Sequence, residues 1–224
     1  MSITQNLQQI KKTIPNGVTL VAVSKTKPTS AILEAYQAGQ RIFGENKIQE
    51  MTQKHEELPK DIQWQMIGHL QRNKIKYMAH YVDLIHGVDS LKTLKEVNKQ
   101  AKKHNRTINC LLQAKIAQEE TKFGLSFNEI DQILSSNELK ELENINIKGL
   151  MGMASFTSEE QQVKEEFLSL DTFFKTLKEK KFSQNNISIE ILSMGMSGDY
   201  QLAINCGSTM VRIGSSIFGS RVYL

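Results

Sequence analysis

Short runs rich in Val, Ile and Leu alternate along the chain with longer stretches in which apolar residues recur every three or four positions. The apolar runs fall at 18–23 (VTLVAV), 41–43, 63–67, 84–88, 108–114 (INCLLQA), 147–153 (IKGLMGM), 188–194 (SIEILSM) and 210–213. Several are apolar almost without a break, which suits parallel strands covered on both faces. The stretches between them carry helix-start signals. Ser126 precedes Glu129 by three residues, a capping-box spacing ahead of Ile130, Ile133 and Leu134. Ser158 and Gln161 repeat that spacing before a segment whose Val163, Phe167, Leu170, Phe174 and Leu177 form one stripe. The stripe reads as helix-to-sheet packing, not as a ligand surface. Asp89 or Ser90 stands where it caps a helix bearing Leu91, Leu94, Val97 and Ala101.

No linker, low-complexity tract or short repeat interrupts this series, so residues 1–224 read as one α/β domain. Eight strand–helix units with right-handed crossovers predict a closed (β/α)₈ barrel of the TIM type. An open doubly wound sheet remains the alternative, because the runs at 41–43 and 210–213 are short.

Composition narrows the function classes. A chain of 224 residues that is 39% hydrophobic and 23% charged supports a substantial core. No apolar run reaches membrane-spanning length and the first residues lack a signal-peptide stretch, so a cytoplasmic protein is expected. The net charge is only +4, and Lys92, Lys95, Lys99, Lys102 and Lys103 lie on one helical segment with no interleaved aromatics. That is a solvated helix face, and neither a nucleic-acid nor a membrane partner is expected. Cys110 and Cys206 are far apart with no CxxC spacing, which predicts buried free thiols.

A barrel assembles its ligand site at the C-terminal ends of its strands, and the least generic segments of this chain fall there. SKTKP follows the first strand, GEN the second and IGHLQRNK the third, with SMGMSGDY at the seventh and RIGSS at the eighth. Lys25 stands directly after VAVS, where a strand would deliver its amine to the barrel mouth. It is either an ordinary solvated cation or a desolvated amine able to form an imine with an aldehyde, and Lys27 competes on the same grounds. Ser197-Gly198 and Gly214-Ser215-Ser216 supply hydroxyls and accessible backbone N–H groups suited to an anion, or are simply turns. Arg212 on the last strand needs an acceptor if it is buried, and a structural ion pair would meet that need.

Taken together, VAVSKTKP, FGENKIQE, WQMIGHLQRNK, LMGMA, LSMGMSGD and GSTMVRIGSSIFGSR resemble the pyridoxal 5′-phosphate (PLP) homeostasis protein family. That family has the fold-type-III PLP barrel also found in the N-terminal domain of alanine racemase. The motifs run in order from Val21 to Arg221, nearly the whole chain. The resemblance implies that Lys25 holds PLP as a Schiff base and that Asn46 lines its ring. It implies that Ser197, Gly214 and Ser215 bind the phosphate beside Met196, and that Arg212 faces the pyridine nitrogen. One departure is visible: Gln65 stands where many relatives carry the histidine of a WHFIG segment.

Two functions compete under this resemblance. A carrier would buffer PLP and deliver it to apo PLP-dependent enzymes, with free amino acids as further partners; a racemase-like enzyme would remove an amino-acid α-proton. A donor-only guanidinium opposite the pyridine nitrogen weakens the electron sink on which most PLP catalysis depends. The chain also closes at Tyr223 and Leu224, directly after the eighth unit, whereas alanine racemase draws a second base from an added β-domain. The expectation is a monomeric carrier, not a conventional enzyme, with no metal.

Overall fold

The apolar runs become eight parallel strands, and their order around the sheet equals their order in the chain. The computed structural model describes residues 2–119 and 123–219. Lys122, Arg221, Tyr223 and Leu224 lie outside the described residues. The strands are β1 (Thr19–Val23), β2 (Ile42–Glu45), β3 (Gln63–Met66), β4 (Leu84–Val88), β5 (Ile108–Ala114), β6 (Ile145–Gly152), β7 (Ile187–Met196) and β8 (Met210–Ile213). Closure settles the open question of architecture. β8 pairs with β1 in parallel, with Thr19 opposite Met210 and Val21 opposite Arg212, so the sheet has no edge and the open-sheet alternative is excluded.

Helices α1 (Ile3–Thr13), α2 (Thr29–Gln37), α3 (Ile48–Glu57), α4 (Leu91–Lys103), α5 (Phe127–Ser135), α6 (Asn137–Lys140), α7 (Glu160–Glu179), α8 (Tyr200–Asn205) and α9 (Ser215–Phe218) complete the order. A 3₁₀ segment, Arg72–Tyr77, takes the place of a full helix between β3 and β4. Ser126 and Glu129 form the expected reciprocal capping box, and Ser90 Oγ accepts from the Thr93 amide at 3.2 Å. Ser158 does not cap α7. That helix starts at Glu160 behind Glu159, which makes no side-chain cap, and the Thr157 hydroxyl accepts from the Glu159 amide instead. Helix α1, which lies outside the expected series of elements, opens with its own capping box at Ser2 and Gln5.

Two apolar layers hold the barrel. The outer one lies between strands and helices and includes Trp64, Phe43 and the α7 residues Val163, Phe167, Leu170, Phe174 and Leu177. Each such side chain contributes roughly 1.5–3 kcal/mol on burial. The inner one is small: Val21, Leu84, Leu111, Met151 and Met210. Toward the C-terminal ends the interior turns polar, with Gln65, His86, Ser193 and Arg212 all buried. Cys110 and Cys206 are buried free thiols, as expected. No helix among the described residues is long and apolar enough to cross a membrane.

Strand ends shift in ways that matter for the site. β2 runs on through Gly44 to Glu45, and β7 extends to Met196, two residues past its expected end. Longer pairing with their neighbours carries these strands right up to the residues that line the barrel mouth.

Candidate functional site

The C-terminal ends of the strands open into a cavity of about 530 Å³, and the seven residues that the resemblance implies around the cofactor line it, while Ser216 of the same turn does not. Lys25 follows β1, Asn46 follows β2, Met196 and Ser197 stand at the end of β7, Arg212 lies in β8, and Gly214 and Ser215 open α9.

Lys25 is half-buried and sits in a bend held from beneath. The next residue, Thr26, adopts φ 64°, a left-handed conformation uncommon for a non-glycine residue, and its amide donates to Glu50 Oε1 at 2.6 Å. Ser24 Oγ donates to Glu45 Oε1 at 2.6 Å. Lys54 Nζ ties this together, donating to Ser24 O at 2.9 Å and to Glu45 Oε1 and Glu50 Oε1 at 2.7 Å each. Three ammonium protons thus meet three acceptors. Burial pushes the Glu45 carboxyl up, against the pull of Lys54 and Ser24. Lys27 also lines the cavity, but its amine donates to the carbonyl oxygens of Phe218 (2.9 Å) and Gly219 (3.1 Å).

One end of the cavity is built from two loops pinned side by side. Gly195 turns β7 at φ 95°, where a Cβ would fall 2.6 Å from that of Ala203. The Met196 amide then donates to Asp199 Oδ1 at 2.5 Å, and Ser197 Oγ accepts from the Gly214 amide at 3.1 Å. Because Ser197 accepts there, its hydroxyl proton remains to donate. With the Gly214 amide engaged by Ser197, Ser197-Gly198 and Ser215 present hydroxyls and backbone N–H groups together, a nest suited to an anion. On another wall Gly68 backs onto Asn46 so closely that a Cβ would lie 2.4 Å from the Asn46 carbonyl oxygen.

Arg212 is only 4% exposed. Nη1 donates to Ser193 Oγ at 2.6 Å and Nη2 to Gly152 O at 2.9 Å, so its close partners are neutral and the ion-pair reading is not met. Burial lowers its pKa to about 10, with Asp199 pulling the other way, and it remains a cation at neutral pH. Behind it His86 lies between Ser193 (3.1 Å) and Gln65 (2.7 Å). Burial, and then the Arg212 charge, holds the His86 pKa well below the ordinary value. At the mouth His69 stacks on Phe123 at 4.7 Å, and Phe123, Phe156 and Met196 are 60%, 93% and 40% exposed.

The residues missed from the sequence are those that hold others in place. Glu50 and Lys54 carried a signal, an i,i+4 pair on a predicted helix. Ser193 and His86 carried none, since a lone polar residue inside an apolar strand does not disclose which face it takes.

This arrangement matches known proteins along its whole length. The family model described as alanine racemase, N-terminal domain, matches residues 1–222. A pyridoxal phosphate homeostasis protein of Vibrio alginolyticus is 39% identical over 237 residues, covering 99% of each chain. The chain belongs to the pyridoxal phosphate homeostasis protein family. Two structures of PipY from Synechococcus elongatus PCC7942 superpose on it. The one without PLP has TM-score 0.89 and 34% identity, and the one with PLP bound has 0.87 and 33%. In both cases the match covers 97% of this chain and 100% of PipY. Alanine racemase of Clostridium difficile 630 shares the fold at TM-score 0.77 and 16% identity, with 99% of this chain covering 56% of that one. Family membership explains why the ordered motifs fall at one end of one barrel.

Proposed function

We propose that the protein binds PLP covalently through Lys25, buffers this reactive aldehyde in the cytoplasm, and delivers it as a monomer to apo PLP-dependent enzymes. The observation that carries the reading is the convergence, in one cavity, of an amine, an anion nest and a buried donor-only cation. The residues fit the group. Lys25 would hold the group through its amine, which can condense with an aldehyde with loss of water. Ser197, Gly214 and Ser215 would hold the phosphate, with Met196 flanking it, Asn46 lining the ring and Arg212 donating toward the pyridine nitrogen. When bound, PLP supplies an electrophilic carbon and an electron-accepting ring.

Arg212 favours holding over turnover. A guanidinium has no acid proton to lend the ring at neutral pH, so the electron sink stays weak. The pyridoxal phosphate homeostasis relatives support the same reading.

The test incubates PLP-loaded protein with L-amino acids in deuterium oxide and follows α-deuteration, racemization and transfer of PLP to an apo-enzyme in parallel. Transfer without turnover is expected. Several deuteration or racemization events per second, abolished in Lys25→Ala, would establish the racemase-like enzyme instead.

A further inference from the structure

We propose that Gln65, His86 and Ser193 are positioning residues: they form a one-way hydrogen-bond relay that fixes Arg212 as a donor toward a ring nitrogen in the cavity. The proposal deepens the PLP reading and rests on it. The four residues come from four strands, β3, β4, β7 and β8, and are 2%, 0%, 0% and 4% exposed. β4 and β7 are not neighbours in the sheet, so the 3.1 Å contact between His86 and Ser193 spans the barrel interior. Among the four, Arg212 alone lines the cavity.

The direction of the relay follows from the chemistry of its two ends, the Arg212 guanidinium and the Gln65 amide oxygen. A guanidinium only donates, so Ser193 Oγ accepts from Arg212 Nη1. Gln65 Oε1 beside Nε2 also only accepts, so the neutral imidazole leaves Nδ1 bare to take the hydroxyl proton of Ser193. A neutral imidazole with a bare Nδ1 carries its proton on Nε2, and that proton goes to Gln65 Oε1 at 2.7 Å. Reversal would require Gln65 to turn its amide NH2 toward Nε2 and Ser193 to accept from Arg212 and His86 at once. Burial and the neighbouring Arg212 charge both oppose a second proton on His86, so the positive charge stays on Arg212.

The relay has a consequence at the cavity. Ser193 and the Gly152 carbonyl each take one N–H from opposite sides of the guanidinium fork and hold its plane. The remaining donors are left for the ligand. A ring nitrogen placed there meets an N–H donor and keeps its lone pair. Gln65 suits the far end because its amide oxygen accepts but has no proton to titrate. A histidine in its place would offer a second tautomer and a route to reverse the chain.

The test loads wild type, Ser193→Ala, His86→Leu and His86→Asn with PLP labelled with nitrogen-15 in the ring. It reads the ring-nitrogen chemical shift and the PLP affinity, with circular dichroism as a check of fold. Ser193→Ala and His86→Leu are expected to move the resonance and weaken PLP binding by about tenfold. His86→Asn, which restores an acceptor near the Nδ1 position, is expected to return both toward wild type. If His86→Leu does not fold, Ser193→Ala carries the test by itself. A ring-nitrogen resonance unmoved in Ser193→Ala overturns the relay, even if affinity falls, because loosened packing alone would lower affinity without changing the nitrogen. Failure of the underlying reading looks different: borohydride would then leave no PLP on Lys25 of the wild type.

Discussion

A buried ammonium is tolerated where every proton has an acceptor, and Lys54 meets that condition by joining Ser24, Glu45 and Glu50 under the Lys25 bend. Lys54→Met would leave Glu45, fully buried, and the adjacent Glu50 without their cation. A loss of about 3–5 kcal/mol is expected, read by urea unfolding, together with faster PLP release. Lys25→Ala should behave in the opposite way, keeping the fold while abolishing the visible absorption of bound PLP. Borohydride followed by peptide mass analysis decides the attachment residue, and a label on Lys27 or Lys122 instead would refute the assignment. At the anion nest, Ser197→Ala removes one charge-assisted donor and loosens the pin on Gly214. It should narrow the preference for PLP over pyridoxal by roughly 1.5–3 kcal/mol. Equal affinity of the unaltered protein for the two ligands would remove the phosphate role altogether.

Helices α5 and α7 show which sequence signals translate into energy. The Ser126 hydroxyl accepts from the Glu129 amide and the Glu129 carboxylate returns to Ser126, so Ser126→Ala should cost about 1 kcal/mol. Ser158 carries the same spacing to Gln161 but lies outside the start of α7, so Ser158→Ala should change stability by less than about 0.5 kcal/mol. Thermal or urea unfolding of the pair separates a working cap from a coincidental one. On α7 the fully buried Phe167 is pressed onto the outer barrel wall, and Phe167→Ala should destabilise by about 3–5 kcal/mol. A much smaller loss would mean that the wall relaxes to fill the space.

At the scale of the whole molecule, the polar interior makes stability depend on pH. His86 is held neutral with its pKa well below the unfolded value of about 6.5. Above that value neither state is protonated there and stability is flat with respect to this group. Below it the unfolded chain binds a proton that the folded protein refuses, so stability falls as pH falls, by about 1.4 kcal/mol per pH unit. Glu45 and Asp199, raised by burial, act with the opposite sign. Comparing denaturant unfolding of wild type and His86→Asn across that range isolates the histidine contribution. The wild-type slope should be steeper; parallel curves would show that His86 takes up its proton in the folded state.

Local physics made much of this legible from the chain. Apolar runs found all eight strands, three of them to the residue, because strand identity rests on side chains a few positions apart. The same locality placed Lys25, Asn46, Met196, Ser197, Arg212, Gly214 and Ser215 near strand ends, and the resemblance tied them to one cofactor. What locality does not reach is contact between distant residues. Whether β8 met β1 was decided only by closure, which brings Val21 beside Arg212. Lys54 became the support of the Lys25 bend because α3 packs it against the ends of β1 and β2. The His86–Ser193 bond joins residues 107 positions apart across the barrel axis. A buried polar side chain takes its role from the partner it meets, and that partner is chosen by the closed sheet.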